Sequence, residues 1–138
     1  MKAGLEQGLS RTRRVEIDNE RTIGFMGDAL RVYATPSMVL DIERTCRTFL
    51  EEFLEEGENS VGARVEVDHL GPTLNGMWVD VAATVASVEG RKVVFEVEVR
   101  DALDLVGRAK HIRFVVDLEK QRQRLEAKAA KVGELRKA

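Results

Sequence analysis

The sequence predicts an α+β domain in which one long amphipathic helix is wrapped by a mostly antiparallel sheet of about five strands, with a second helix at the C-terminus. Three observations carry this. Residues 35–54, TPSMVLDIERTCRTFLEEFL, form the one strongly apolar helical stretch. From residue 61 onward, runs of alternating apolar and polar residues are separated by Gly, Pro and Asp. Residues 118–138 are rich in Lys, Arg, Glu and Ala with only a thin apolar seam.

The helix comes first because the other elements must cover it. With Pro36 as the first helical residue, Thr35 reads as the N-cap, since its hydroxyl can accept from backbone N–H groups that proline does not need. Placing residues about 100° apart puts Met38, Val39, Ile42, Cys46, Phe49, Leu50, Phe53 and Leu54 on one arc. Asp41, Arg44, Thr48, Glu51 and Glu52 take the opposite side, but Glu43 falls on the arc. A buried, unpaired carboxylate costs several kcal/mol, so Glu43 requires a partner, a raised pKa or a water-lined cavity.

Residues 1–10 carry two glycines and little periodicity, and read as a flexible arm. Residues 11–117 form the domain proper. Val15 and Ile17 alternate with Arg14, Glu16 and Asp18 in a first, partly exposed strand. Residues 19–34 mix Ile23, Phe25, Met26, Leu30 and Tyr33 with glycines, an apolar connection suited to packing or to a lid over the helix start. After the helix, Val61, Ala63, Val65, Val67 and His69 share one face of a strand that Gly71 and Pro72 end. A second strand runs from Trp78 to Val88, a hairpin turn follows at Glu89 to Arg91, and Lys92 to Arg100 and Leu105 to Val116 complete a meander. Residues 118–138, with Leu118, Leu125, Val132 and Leu135 as a seam interrupted by Gly133, form a peripheral helix. An open sheet leaves exposed edges, and pairing them about a two-fold axis predicts a homodimer.

Composition excludes several functional classes. Twenty-two basic against 24 acidic residues give a net charge of −2, which builds no field for nucleic acid or an anionic membrane surface. No run approaches the roughly 20 apolar residues of a membrane span, and no apolar signal-peptide core follows Met1, so a soluble cytoplasmic protein is expected. The single cysteine, Cys46, rules out an internal disulfide and a cysteine-rich metal site. HxxxH and HExxH spacings, phosphate-binding glycine loops and the GxSxG elbow are also absent, so neither a metal nor another cofactor is expected.

Three polar residues remain as carriers of chemistry. His69 ends a strand whose same-face neighbours are apolar, which aims its imidazole toward the helix. A histidine with an ordinary pKa near ~6.5, held by a carboxylate such as Glu43, can exchange protons with water. Thr35 at the helix start is an ordinary cap or a polar group at a site where free N–H groups and the helix dipole can receive an oxyanion. Thr35 and Glu43 are about 12 Å apart along a straight helix, so substrate, water or a second subunit must join them. His111 reads as a structural or surface histidine, since the pattern places no carboxylate beside it. Arg91, Lys92, Arg108, Lys110 and Arg113 offer charge to a phosphorylated carrier or form a solvated surface.

VYATPSMVLDIERTC, SVGARVEVDHLGPT and GRAKHIRFVVDLEK, in this order and spacing, resemble the hotdog-fold acyl-CoA thioesterases, and more closely the fluoroacetyl-CoA thioesterase group. The resemblance covers residues 12–120 and implies a hotdog fold and hydrolysis of a small or medium acyl-CoA. In that reading Glu43 is nucleophile or water activator, His69 the acid/base, and Thr35 a positioning or polarising group. CoA enters only as part of the substrate. Gly62 matches the group's glycine near the acyl site, and Ala29, Tyr33 and Arg113 complete the candidate substrate-binding set. Ala29 stands near the position where the fluoroacetyl-specific member has a lid aromatic, so the resemblance does not carry fluoroacetyl specificity to this chain. The flank reading THER in relatives is Lys110, His111, Ile112 and Arg113 here. Two alternatives remain: a module that binds acyl-CoA or another hydrophobic ligand without turnover, and an enoyl-CoA hydratase, against which the missing Asp/His signature counts.

Overall fold

The structure, a computed structural model, describes residues 1–137. Five antiparallel strands form one sheet in the order β1 (Ser10–Glu16), β5 (Trp78–Glu89), β6 (Lys92–Arg100), β7 (Leu105–Asp117), β4 (Glu58–His69). The long helix α1 (Thr35–Glu51) lies across one face. Two-residue strands β2 (Thr22–Ile23) and β3 (Val32–Tyr33) pair beside its start, and α2 (Leu118–Lys137) follows β7. Strands β1 and β4 are the two edges.

The core lies between α1 and the sheet. Met38, Ile42, Cys46, Phe49 and Leu50 of the helix meet Val81, Val85, Phe95, Val97 and Val99. At roughly 25 cal/mol per Å² of apolar area removed from water, this layer is the main source of cohesion. Phe53 and Leu54 pack against the core beyond the end of the helix. Residues 1–10, expected as an arm, lie on the same core through Met1, Leu5 and Leu9, and Lys2 N–H donates to the Phe53 carbonyl at 2.6 Å.

Two features depart from simple periodicity. The buried arc of α1 includes Asp41 and Thr45, while Val39 and Glu43 are half-buried, so the arc is turned by about 60° from the apolar pattern. The cause is Arg21, just before β2, and Tyr33 of β3, whose side chains cover the Asp41 flank of the helix. In β4, the register against β7 shifts between Gly62 and Arg64. Such a bulge inserts one residue and reverses the alternation beyond it. Val61, expected to face inward with His69, is therefore 40% exposed opposite Phe114, whereas Gly62 turns beneath the helix. The inward direction of His69 is kept.

The connection at residues 19–34 contains two short 3-10 turns and the β2–β3 pair, elements too short for alternation to reveal. Phe25 and Leu30 stay largely exposed on it. α2 runs through Gly133 to Lys137 with no buried residue, and among the described residues no helix is long and apolar enough to cross a membrane.

Candidate active site

The start of α1 meets the end of β4. Ala34, in extended conformation, is the N-cap, and its carbonyl accepts from Met38 N–H at 3.0 Å. Thr35 is therefore the first helical residue, which corrects the expectation of a threonine cap: no side chain caps this helix. The Thr35 hydroxyl is free for another partner, and it shares a 2.7 Å hydrogen bond with Nδ1 of His69. His69 comes from the last position of β4, whose register places it opposite Gly107. Its Nε2 is shielded and has no hydrogen-bond partner. Burial pulls the imidazole below the ordinary histidine pKa, against a smaller opposing pull from the Gly71 backbone. The neutral ring, competent as a base, is thus the favoured form.

Thr35 and His69 line a cavity of about 430 Å³ whose other walls include Ile23, Phe25, Tyr33, Pro36 and Leu70. The lining is apolar apart from the hydroxyl–imidazole pair. Phe25, 83% exposed, stands at its rim.

Glu43 is not in this cavity. It lines a separate one of about 230 Å³ with Gly62, Arg64 and His111, at the bulge of the β4 edge. The charged group nearest this cavity is the guanidinium of Arg113, 5% exposed; Glu43 and Arg113 point at the same spot beside Gly62 without forming a direct ion pair. Burial lowers the Arg113 pKa and Glu43 opposes that shift. Arg113 is fixed by donating from Nε to Ser60 Oγ at 2.9 Å, from Nη2 to the Ser60 carbonyl at 3.1 Å and from Nη1 to His111 Nε2 at 3.3 Å. The remaining nitrogen of His111, Nδ1–H, then donates to the Arg64 carbonyl at 2.8 Å. Both imidazole nitrogens are engaged and the ring is 1% exposed, so His111 is a neutral structural group. Gly62 leaves room for this cluster: a Cβ there would lie 3.3 Å from Glu43 Oε2, Arg113 Nη1 and His111 Cε1.

A family model described as fluoroacetyl-CoA-specific thioesterase matches residues 17–119. The chain belongs to this family. The fluoroacetyl-CoA thioesterase of Streptantibioticus cattleyicolor is 39% identical over 89 residues, which make up 64% of this chain and 64% of that protein, a little under two-thirds of its length. A mutant of the fluoroacetyl-CoA-specific thioesterase FlK superposes with a TM-score of 0.82 at 31% identity, covering 92% of this chain and 99% of that one. A Thermus thermophilus protein described as a thioesterase superfamily member gives 0.82 at 30% identity, with 98% of each chain covered. A hot-dog-like protein from Thermanaerovibrio acidaminovorans gives 0.81 at 27% identity, over 88% of this chain and 91% of that one, in keeping with a hotdog fold.

In this member of the fluoroacetyl-CoA thioesterase family, the residues singled out from the sequence fall into two groups. Thr35, His69 and Tyr33 meet at the first cavity; Glu43, Gly62 and Arg113 meet at the bulge. Ala29 sits exposed in the 3-10 turn Asp28–Leu30, outside the lining of either cavity. Sequence reasoning missed Asp41, Ser60 and the double engagement of His111. Asp41 looked like a solvent residue because its apolar surroundings come from another element, and nothing in the spacing of Ser60 and Arg113 announces their contact.

Proposed function

We propose that this chain is an acyl-CoA thioesterase acting on a small or medium acyl group, working as a homodimer paired through its edge strands. The observation that carries the reading is the 2.7 Å contact between the Thr35 hydroxyl and His69 at the start of α1, in a chain of the fluoroacetyl-CoA thioesterase family. In the proposed reaction the thioester carbonyl sits at this helix start, where free N–H groups and the positive dipole end receive the developing oxyanion. Either Glu43 takes a proton from the water that adds to the carbonyl carbon, or Glu43 adds to that carbon itself, expels the thiolate as a mixed anhydride forms, and water then hydrolyses the anhydride. The C–S bond breaks, His69 relays a proton, and the products are the free acid and the CoA thiol. Thr35 orients the imidazole and the carbonyl. CoA enters as part of the substrate, and the steps use only water and these side chains.

Dimerisation supplies the missing proximity. In one chain Glu43 of α1 and His69 of β4 open on different cavities, and each cavity borders β4, an edge strand. Antiparallel pairing of two β4 edges about an axis near Val65 would set the His69 end of one strand beside the Gly62 bulge of the other. The second copy's Glu43 would then face the Thr35–His69 pair. The apolar lining of the larger cavity supports an acyl chain rather than a polar substituent.

The test is release of thiol from a panel of acyl-CoA esters by wild type, Glu43→Ala and His69→Ala. Loss of at least about 100-fold in each variant is expected, the usual range for a general acid or base. Full activity in both would overturn the assigned roles.

A further inference from the structure

The buried carboxylate of Asp41 has no place in the steps above, although it is only 1% exposed. Arg21 donates to both its oxygens, from Nε to Oδ2 at 3.0 Å and from Nη2 to Oδ1 at 3.1 Å, and the Tyr33 hydroxyl donates to Oδ2 at 2.6 Å. Arg21 is itself anchored to Asp18 at 2.9 Å. The same residues are tied through the backbone: Ala34 N–H donates to the Arg21 carbonyl and Tyr33 N–H to that of Thr73, each at 2.8 Å. This chain of contacts ends at the site. The Tyr33 ring meets the His69 imidazole in a T-shaped contact, with centroids 6.2 Å apart and planes at 73°.

We propose that Tyr33, oriented by the Asp41–Arg21 ion pair, is a positioning residue that holds the His69 imidazole in the rotamer that meets Thr35. Its hydroxyl is committed to Asp41 and takes no part in proton transfer: burial, then the Asp41 bond, raises its pKa above the ordinary tyrosine value, so it stays protonated. What reaches His69 is the ring edge or face, a contact that constrains orientation without exchanging a proton. The carboxylate is placed on α1, eight residues along from Tyr33, so one ion pair locks the approach to the helix, the helix start and the histidine together.

This inference rests on the thioesterase reading for its kinetic consequence but not for its structural one, and the experiment separates the two. Tyr33→Phe keeps the ring and the Asp41–Arg21 pair and removes only the orienting bond, so the variant is expected to fold. The expected result is a kcat about 5- to 10-fold lower with KM within twofold, since small misplacements of a reacting group act on rate. Nitrogen NMR of His69 should show a changed tautomer balance and titration midpoint. Asp41→Asn, which can still accept from Tyr33, should lie nearer wild type in both readouts than Asp41→Ala. If wild type releases no thiol, the thioesterase reading fails and the NMR signals alone decide whether Tyr33 positions His69. Unchanged His69 signals in Tyr33→Phe would overturn the proposal, as would an unchanged kcat in an active enzyme.

Discussion

Thr35 contributes its hydroxyl to His69 and not to the helix it begins, a division of labour fixed by the 2.7 Å contact and by the absence of any side-chain cap on α1. A capping threonine and a site threonine make different demands. Replacing a true N-cap by alanine costs about 0.5–2 kcal/mol of stability.

Thr35→Ala is accordingly expected to leave the thermal midpoint within about 2 °C of wild type, because no capping bond is lost. It should lower kcat/KM by about 10- to 100-fold, whereas Thr35→Ser, which retains the hydroxyl, stays within a few-fold. Thermal melts and thiol-release kinetics on the same three proteins check both halves.

Gly62→Ala places a methyl group 3.3 Å from Glu43, Arg113 and His111 together. Arg113 and His111 are held by Ser60 and Arg64, so of the three only the Glu43 carboxylate can swing aside. Overpacking of this kind costs about 1–3 kcal/mol, and the displaced carboxylate should reduce activity at the same time. Denaturant unfolding with parallel assays would show it; a variant as stable and active as wild type would mean that the cluster yields freely.

Arg113→Met removes the guanidinium that faces Glu43 and leaves Ser60 and His111 without their donor. A loss of about 3 kcal/mol is expected, in line with breaking a buried charged network on one side. Ser60→Ala, which removes one acceptor and leaves the others, should cost about 1 kcal/mol.

Both histidines have pKa values lowered by burial, so the folded protein prefers them neutral. As pH falls through the ordinary value of 6.5, the unfolded chain takes up protons before the folded one. Stability is thus complete above that pH and declines below it. The acid limb of kcat/KM should fall below pH 6.5 for the same reason. The lowered carboxylates of Glu58 and Asp80 act at more acidic pH, so melts above about pH 5 report the histidines. A flat thermal midpoint between about pH 7.5 and 5.5 would contradict this.

Much of the architecture was legible because the apolar periods are long. The extent of α1 and its central apolar residues Met38, Ile42, Cys46, Phe49 and Leu50, the strands β5 to β7 and the inward direction of His69 follow from spacing. What escaped depends on contacts between distant segments. The β4 bulge turns Gly62 inward and Val61 outward, and a single inserted residue leaves no mark in an otherwise regular alternation. Asp41 is buried because Arg21 and Tyr33 reach it from β2, β3 and their approach, across about 20 residues of chain with no periodicity of their own. The cap assignment failed for a related reason: the backbone carbonyl that starts α1 belongs to Ala34, one residue earlier than the proline rule places it. Sequence reasoning expected His69 as Glu43's companion; within one chain the two line separate cavities.

Mixing two inactive variants tests the central proposal, a thioesterase site joining Thr35 and His69 of one subunit to Glu43 of another. Glu43→Ala and His69→Ala are co-refolded in equal amounts, and thiol release is compared with each alone and with wild type. Random exchange puts about half of the chains in mixed dimers, each with one intact site, so roughly one quarter of wild-type activity is expected. Activity no higher than that of the separate variants, with exchange verified by mass, would contradict a shared site.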